Sequence, residues 1–172
     1  MQGSSMLRWA SVMARLITAI WIGWCWILPI TPGMAAKIDP YVVRYLRVTD
    51  AVELKLDAEG HTRSFTAVEL SQGKALFEKN CLSCHVGGTT LPDPTVPLSL
   101  AALQGATPPR DSVAGLVSFM RHPTTYDGSE DAILCEQVTE SWLSTPAVEA
   151  IAGFVLQAAQ NAPGWGTETF TN

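Results

Sequence analysis

The chain has 172 residues and a formal charge of −5, with sixteen acidic side chains against eleven basic ones, and four cysteines. That balance excludes nucleic acid as an expected partner, because a polyphosphate backbone is held by clustered Lys and Arg. The length leaves room for one compact core and not for several large domains.

At the N-terminal end, Arg8 and Arg15 precede the nearly uncharged run Leu16 to Ile30, and small residues follow at Gly33-Met34-Ala35-Ala36. This is the order of a secretory signal peptide. The apolar run has 15 residues, short of the roughly 20 needed to cross a bilayer as a helix. Residues 1–35 are expected to be cleaved off near Ala35, and the competing role for Trp21, Trp24 and Trp26 is an uncleaved interfacial anchor. Cleavage leaves 137 residues. Only Arg8 and Arg15 are lost from the charged set, so nine basic side chains face sixteen acidic ones, a charge of −7. Cys25 leaves too, and the odd set Cys81, Cys84 and Cys135 remains in an oxidising compartment.

Residues 36–50 form an N-terminal extension to a domain expected over residues 51–166. Val52 to Leu56 alternate apolar and polar, Asp57 to Gly60 carry turn chemistry, and Thr62 to Phe65 can return as a second strand, which together predict a β-hairpin. Thr66-Ala67-Val68-Glu69 has capping-box spacing, with Phe65 and Leu70 as its hydrophobic staple, so a helix starts at Thr66 and runs towards Cys81. Gly87 to Pro109 reads as loop with one helical turn around Leu98, Leu100 and Leu103. Asp111 is the expected cap of a helix whose Val113, Leu116, Val117 and Met120 share one face. Pro123 ends that helix, and residues 124–143 are irregular. A last helix begins at Thr145-Pro146 and carries an apolar stripe from Val148 to Ala159. Residues 167–172 are a tail.

The strongest short signal is Cys81-Leu82-Ser83-Cys84-His85. Two thiols at this spacing can form thioethers with both vinyl groups of a haem while the adjacent imidazole turns onto the iron. A thioredoxin-like pair would open a helix after a strand, whereas this pair closes one. A zinc site built from Cys81, Cys84, Cys135 and His122 would leave His85 without a role. One covalently bound haem c is therefore expected, with His85 as the fifth ligand. Gly73 is expected to admit a close crossing of the last helix over the first, with Phe77 packing against Phe154 or Val155.

Over roughly Leu56 to Leu156 the sequence also resembles the low-potential cytochrome c-550 family of cyanobacterial photosystem II. The resemblance rests on Glu59-Gly60, Gly73-Lys74, Leu76-Phe77, Cys84-His85-Val86-Gly87-Gly88, Ala106 to Asp111, Pro123 to Gly128, and Ala150-Ile151-Ala152-Gly153. It implies a mainly α, class I cytochrome c fold with a short N-terminal β-hairpin, and a location in the thylakoid lumen, soluble or peripheral to the membrane. In that family a histidine followed by Pro-Ser-Leu supplies the sixth ligand after the Tyr-Asp-Gly block. Here the segment Ser129 to Gln137 is shorter, the histidine is absent, and Cys135 stands near its place.

Cys135 is accordingly the expected sixth ligand, approached through Ala132-Ile133-Leu134, with His122 and Met120 as alternatives and His61 a remote one. A thiolate there lowers the reduction potential, whereas methionine raises it. Arg110 is a candidate partner for a haem carboxylate, and Tyr126 is a candidate for packing against the haem. One-electron transfer to a redox partner protein is the expected function, and no enzyme activity is expected because no histidine is evidently placed as an acid or base above the iron. The alternatives are a structural extrinsic subunit on the lumenal face of photosystem II and a redox or gas sensor with a labile thiolate. The retained Trp165-Gly166 fits the family, but the family's tyrosine-ended tail is missing.

Overall fold

The computed structural model describes residues 37–91 and 96–167. The signal-peptide segment 1–35, and all of the 167–172 tail beyond Thr167, lie outside the described residues. The domain is mainly α, with five helices and one two-stranded hairpin among the described residues.

The first helix, α1 (Pro40–Arg44), is too short for periodicity to reveal. Asp39 caps it by accepting from the Tyr41 amide at 2.7 Å, and Pro40 stands in the first turn, where it sacrifices no helical hydrogen bond. Its value is tertiary: Val42 and Leu46 are fully buried and Val48 nearly so. The buried Gln157 side chain donates to the Leu46 carbonyl at 2.9 Å. The segment before the hairpin is thus built into the core.

Strands β1 (Ala51–Lys55) and β2 (Thr62–Thr66) pair antiparallel, with Val52 opposite Phe65 and Leu54 opposite Arg63. Leu54 and Phe65 face the core. Thr66 then caps α2 (Ala67–Asn80) with the reciprocal arrangement its spacing predicts: Thr66 Oγ1 accepts from the Glu69 amide at 3.1 Å, and the Glu69 carboxylate accepts from the Thr66 amide at 2.9 Å. The staple residues Phe65 and Leu70 are both fully buried. Thr66→Ala is expected to cost about 1 kcal/mol, the usual loss of a capping side chain, read as a lower urea midpoint at unchanged slope.

After α3 (Leu100–Gly105) comes α4 (Val113–Arg121), whose cap differs from expectation. Ser112, not Asp111, takes the position, accepting from the Gly115 amide at 3.1 Å. Ser112 is extended and lies three residues before that amide, the separation at which a short side chain reaches it. Asp111, one residue earlier, instead pairs with Lys55 at 2.9 Å and ties α4 to the hairpin.

The chain from His122 to Ser144 has little regular structure, yet it is pinned. The Arg121 guanidinium donates to the Val138 and Leu143 carbonyls at 2.7 and 3.0 Å and pairs with Glu140 at 2.7 Å. Asp127 accepts from the hydroxyls of Thr125 and Ser129 and from the Ser129 amide. These bonds hold its carboxyl down at about 2. Because the folded value is depressed, this turn's stabilisation is complete above the ordinary carboxylate range and is lost as pH falls towards 2. Amide exchange at Ser129 and Glu130 is expected to accelerate in that window, after correction for intrinsic pH effects, and Asp127→Ala should remove the dependence.

Helix α5 (Thr145–Asn161) runs through the centre of the molecule, with nearly every residue from Val148 to Ala158 buried. Helix α2 crosses it at Gly73, where an added Cβ would collide with the Ala150 carbonyl. This close approach brings the end of α2, and with it Cys81, over the aromatic side of α5.

Candidate functional site

Cys81 caps the C-terminus of α2, its amide bonded to the Phe77 carbonyl at 2.8 Å. The chain then turns tightly, since the Cys81 carbonyl accepts from the amides of both Cys84 and His85, at 3.1 and 3.0 Å. The next turn, Val86–Gly88, uses left-handed backbone at Gly87 and Gly88. Gly88 also lies against the Trp165 indole, leaving no space for a side chain.

The His85 ring is oriented by two acceptors. Nδ1 is 3.1 Å from the Thr89 carbonyl and 3.1 Å from the Thr90 hydroxyl. Thr90 directs its own proton to the Val96 carbonyl at 2.5 Å, so its oxygen is left to accept from Nδ1–H. That assigns the tautomer and leaves the Nε2 lone pair free, the arrangement of a metal-ligating imidazole. Burial pushes the His85 pKa down and so favours the neutral ring, a tendency only partly countered by the bond to Thr89.

Phe77 backs the histidine, with ring centroids 6.5 Å apart. It packs on Phe154 at 5.5 Å and on Trp165 at 5.7 Å, and Phe154 meets Trp165 edge-on at 5.7 Å. Trp165 donates its indole N–H to the Leu98 carbonyl at 3.0 Å, and the Gly166 amide bonds the Gly87 carbonyl at 2.8 Å. The pairing of Phe77 with Phe154 matches the sequence expectation. The clamp formed by Trp165 and Gly166 was not foreseeable from local pattern.

Cys81, Cys84 and Cys135 are free, half-buried thiols. Burial, reinforced by the neighbouring Cys135 and Cys84, pushes the Cys81 thiol up to about 11. Burial likewise raises Cys135, while the Arg110 guanidinium draws it back down. Cys135, 50 residues beyond His85 in sequence, is thus close enough to Cys81, Cys84 and Arg110 for their charges to act on it. Arg110 does not stand free beside Asp111. It lies over the Phe119 ring, 3.9 Å from the centroid, and donates to the carbonyls of Thr124 and Thr125 at 3.0 and 2.7 Å.

The other candidates are placed differently. His122 is exposed at the end of α4, and the His61 ring is exposed and bonded to Asp57 at 2.7 Å. Met120 is partly buried against the core. Tyr126 is partly buried, its hydroxyl pressed against Gly105 and its carbonyl accepting from the Thr107 amide at 2.8 Å. Ile133 and Leu134 do not lead Cys135 inward, being 96% and 65% exposed. The loop is tied on either side of them, by the Ala132 amide to Pro123 and the Val138 amide to Met120, which leaves its tip facing outward.

The donor set fits a c-type haem: two unpaired thiols at the attachment spacing, an adjacent imidazole with its metal-binding nitrogen free, and a third sulfur nearby. A small helical domain carrying this arrangement is a cytochrome. The cytochrome c-550 domain model matches residues 45–172, and the chain belongs to the cytochrome c-550 family. It is 56% identical over 149 residues to a cytochrome c-550-like protein of Thermosynechococcus vestitus, covering 87% of this chain and 85% of that one. It is 47% identical over 133 residues to photosystem II extrinsic protein V of Gloeobacter violaceus, covering 77% and 72% of the two chains. Among solved structures, the PsbV2 cytochrome of Thermosynechococcus elongatus superposes with a TM-score of 0.74 at 57% identity, covering 76% of this chain and 99% of that one.

Proposed function

We propose that this chain is an exported, low-potential monohaem cytochrome of class I fold that carries single electrons in the thylakoid lumen, in association with photosystem II. The observation that carries this reading is the tight turn from Cys81 through Cys84 to His85, whose imidazole is held at Nδ1 in the tautomer that leaves Nε2 free. Cys81 and Cys84 would hold one haem c covalently, with His85 Nε2 and the Cys135 sulfur as the candidate donors to its iron. Bound there, the haem supplies reversible one-electron exchange.

The protein's own contribution is positional and electrostatic. Thr89 and Thr90 fix the imidazole plane, and Phe77, itself packed on Trp165, backs the ring. The half-buried Arg110 supplies positive charge that partly offsets the burial holding the Cys135 thiol protonated. The residue set suits a carrier and not a catalyst, since His61 and His122, the two other histidines, are both exposed. Acid-acetone extraction followed by the pyridine-haemochrome assay tests attachment. Colour retained by the protein supports it, and colour that leaves with the solvent refutes it.

Thr90→Val removes one of the two acceptors on His85 Nδ1 and makes the imidazole a weaker donor. The midpoint potential is expected to rise by on the order of 60 mV, a tenfold change for a one-electron couple. Thr90→Ser keeps the hydroxyl and should restore the wild-type value in a spectroelectrochemical titration.

A structural role on the lumenal face of photosystem II is the second reading, favoured by the relative named photosystem II extrinsic protein V and by the retained Trp165-Gly166. Stable co-purification with photosystem II that a high-salt wash reverses, with no reduction by lumenal donors, would select it over the carrier.

A further inference from the structure

The cations of this acidic chain are unevenly committed. Among the described residues, Lys55 pairs with Asp111, Arg63 with Glu69 and Glu149, Lys74 with Asp39 and Glu78, and Arg121 with Glu140. Arg110 is bonded to backbone carbonyls. Within the described residues Lys37, Arg44, Arg47 and Lys79 form no ion pair, although Lys37 acts on Asp39 at longer range, and the first three fall between positions 37 and 47.

The same stretch exposes Ile38, Val43 and Tyr45, at 38%, 39% and 44%. The fold enforces this. Val42 and Leu46 fill the core, so Val43, Arg44 and Tyr45 must turn to solvent. Arg47 has φ 59, a left-handed conformation that a non-glycine residue adopts at a cost. It is exposed between the buried Leu46 and Val48. The acidic residue inside the stretch, Asp39, shares Lys74 with Glu78, at 3.0 and 2.8 Å, so the three unpaired cations Lys37, Arg44 and Arg47 still outnumber the one carboxylate this leaves uncompensated. Asp50 lies exposed at its far edge. The local charge is therefore positive on a protein whose net charge is negative, and over distances beyond about 8–10 Å salt screens the remainder.

We propose that this face is a peripheral membrane contact, where Lys37, Arg44 and Arg47 meet anionic lipid headgroups and Ile38, Val43 and Tyr45 rest at interfacial depth. Cations interleaved with single apolar and tyrosine side chains are the composition of an interfacial segment. A protein hot spot would instead gather its anchors around one pocket. The position in the chain points the same way. The cleavage expected near Ala35 would leave a new amino group within a few residues of Lys37 in sequence. If residues 1–35 stay attached, the apolar run ending at Ile30 is only seven residues from Lys37, at most about 25 Å of extended chain. The proposal rests on the exported, lumenal part of the function above and adds a surface for membrane contact.

The test is sedimentation of the purified holoprotein with vesicles of phosphatidylcholine, alone or mixed with phosphatidylglycerol. Binding is expected only to the anionic vesicles and is expected to weaken as salt is added. A Lys37→Gln, Arg44→Gln, Arg47→Asn variant should lose roughly fivefold in affinity per charge, on the order of a hundredfold together. Val43→Ser with Tyr45→Ser should weaken binding at constant charge. An unchanged haem absorption spectrum verifies that each variant is folded. No binding of the wild type to anionic vesicles overturns the proposal, as does a triple variant that sediments like the wild type. Vesicle binding that survives in the triple variant while association with photosystem II is lost would assign the face to a protein instead. Failure of the haem assignment would show independently, in the extraction assay.

Discussion

Cys135→Ser is expected to raise the midpoint potential by on the order of a hundred millivolts, within the roughly 0.8 V over which axial ligands tune haem. The direction follows from charge. A thiolate stabilises the oxidised iron more than the reduced iron, so its loss favours reduction. The oxidised EPR and absorption spectra should change with it, because a serine hydroxyl is a far weaker donor. Cys135→Met should raise the potential further and bring the spectra towards histidine/methionine ligation. If Cys135→Ser leaves the oxidised spectra as they were, Cys135 is not a ligand, and the partly buried Met120 becomes the next candidate to substitute.

The second large effect is expected at Gly73. On an isolated helix, Gly→Ala would gain about 1 kcal/mol from propensity alone. Here the sign reverses, because the added methyl meets the Ala150 carbonyl, a backbone atom in the middle of the central helix that cannot swing aside. Overpacking of this kind costs about 1–3 kcal/mol, so Gly73→Ala should lower the unfolding free energy despite its better propensity. Gly73→Val adds two further methyl groups and should prevent the crossing. Since Cys81 sits at the end of the helix that crosses, Gly73→Val is expected to reduce the yield of haem-loaded protein as well as its stability. Denaturant titration of the alanine variant and haem absorbance per polypeptide for the valine variant are the two measurements. A stabilised Gly73→Ala protein would show that the helices can separate without penalty.

What the sequence disclosed, it disclosed through local physics. The capping box at Thr66 and Glu69, the staple of Phe65 on Leu70 and the stripe of the last helix each depend on residues within one or two turns of each other. The cap of α4 shows the limit of that method. Asp111 and Ser112 are both good caps, and the choice between them was made by Lys55, 56 residues away, which holds the aspartate. Helix α1 was missed because its reason for existing is not in its own five residues. It exists because Val42 and Leu46 have a core to enter and Gln157 offers a donor to the Leu46 carbonyl.

The site divides in the same way. Cys81, Cys84 and His85, the residues proposed to hold the haem, stood out in the sequence because that chemistry needs adjacency. The Thr90 hydroxyl that fixes the imidazole was not, since one threonine in a loop carries no pattern until its proton is seen to go to Val96. Arg110 was noticed, but as a partner for a carboxylate. Its proximity to the Cys135 thiol emerges only when two loops, separated by α4, are folded together.

The clamp of Trp165 and Gly166 over the attachment turn bears on when things happen as well as where. A polypeptide is made from its N-terminus, and Trp165 is joined to the chain 80 residues after His85. For that interval the cysteine motif exists without the indole that will later press on Gly88 and without the Gly166 bond to Gly87. On the function proposed above, a haem joined at Cys81 and Cys84 would have its freest access while this C-terminal turn is unpacked, and the turn would cover the attachment loop once it docks.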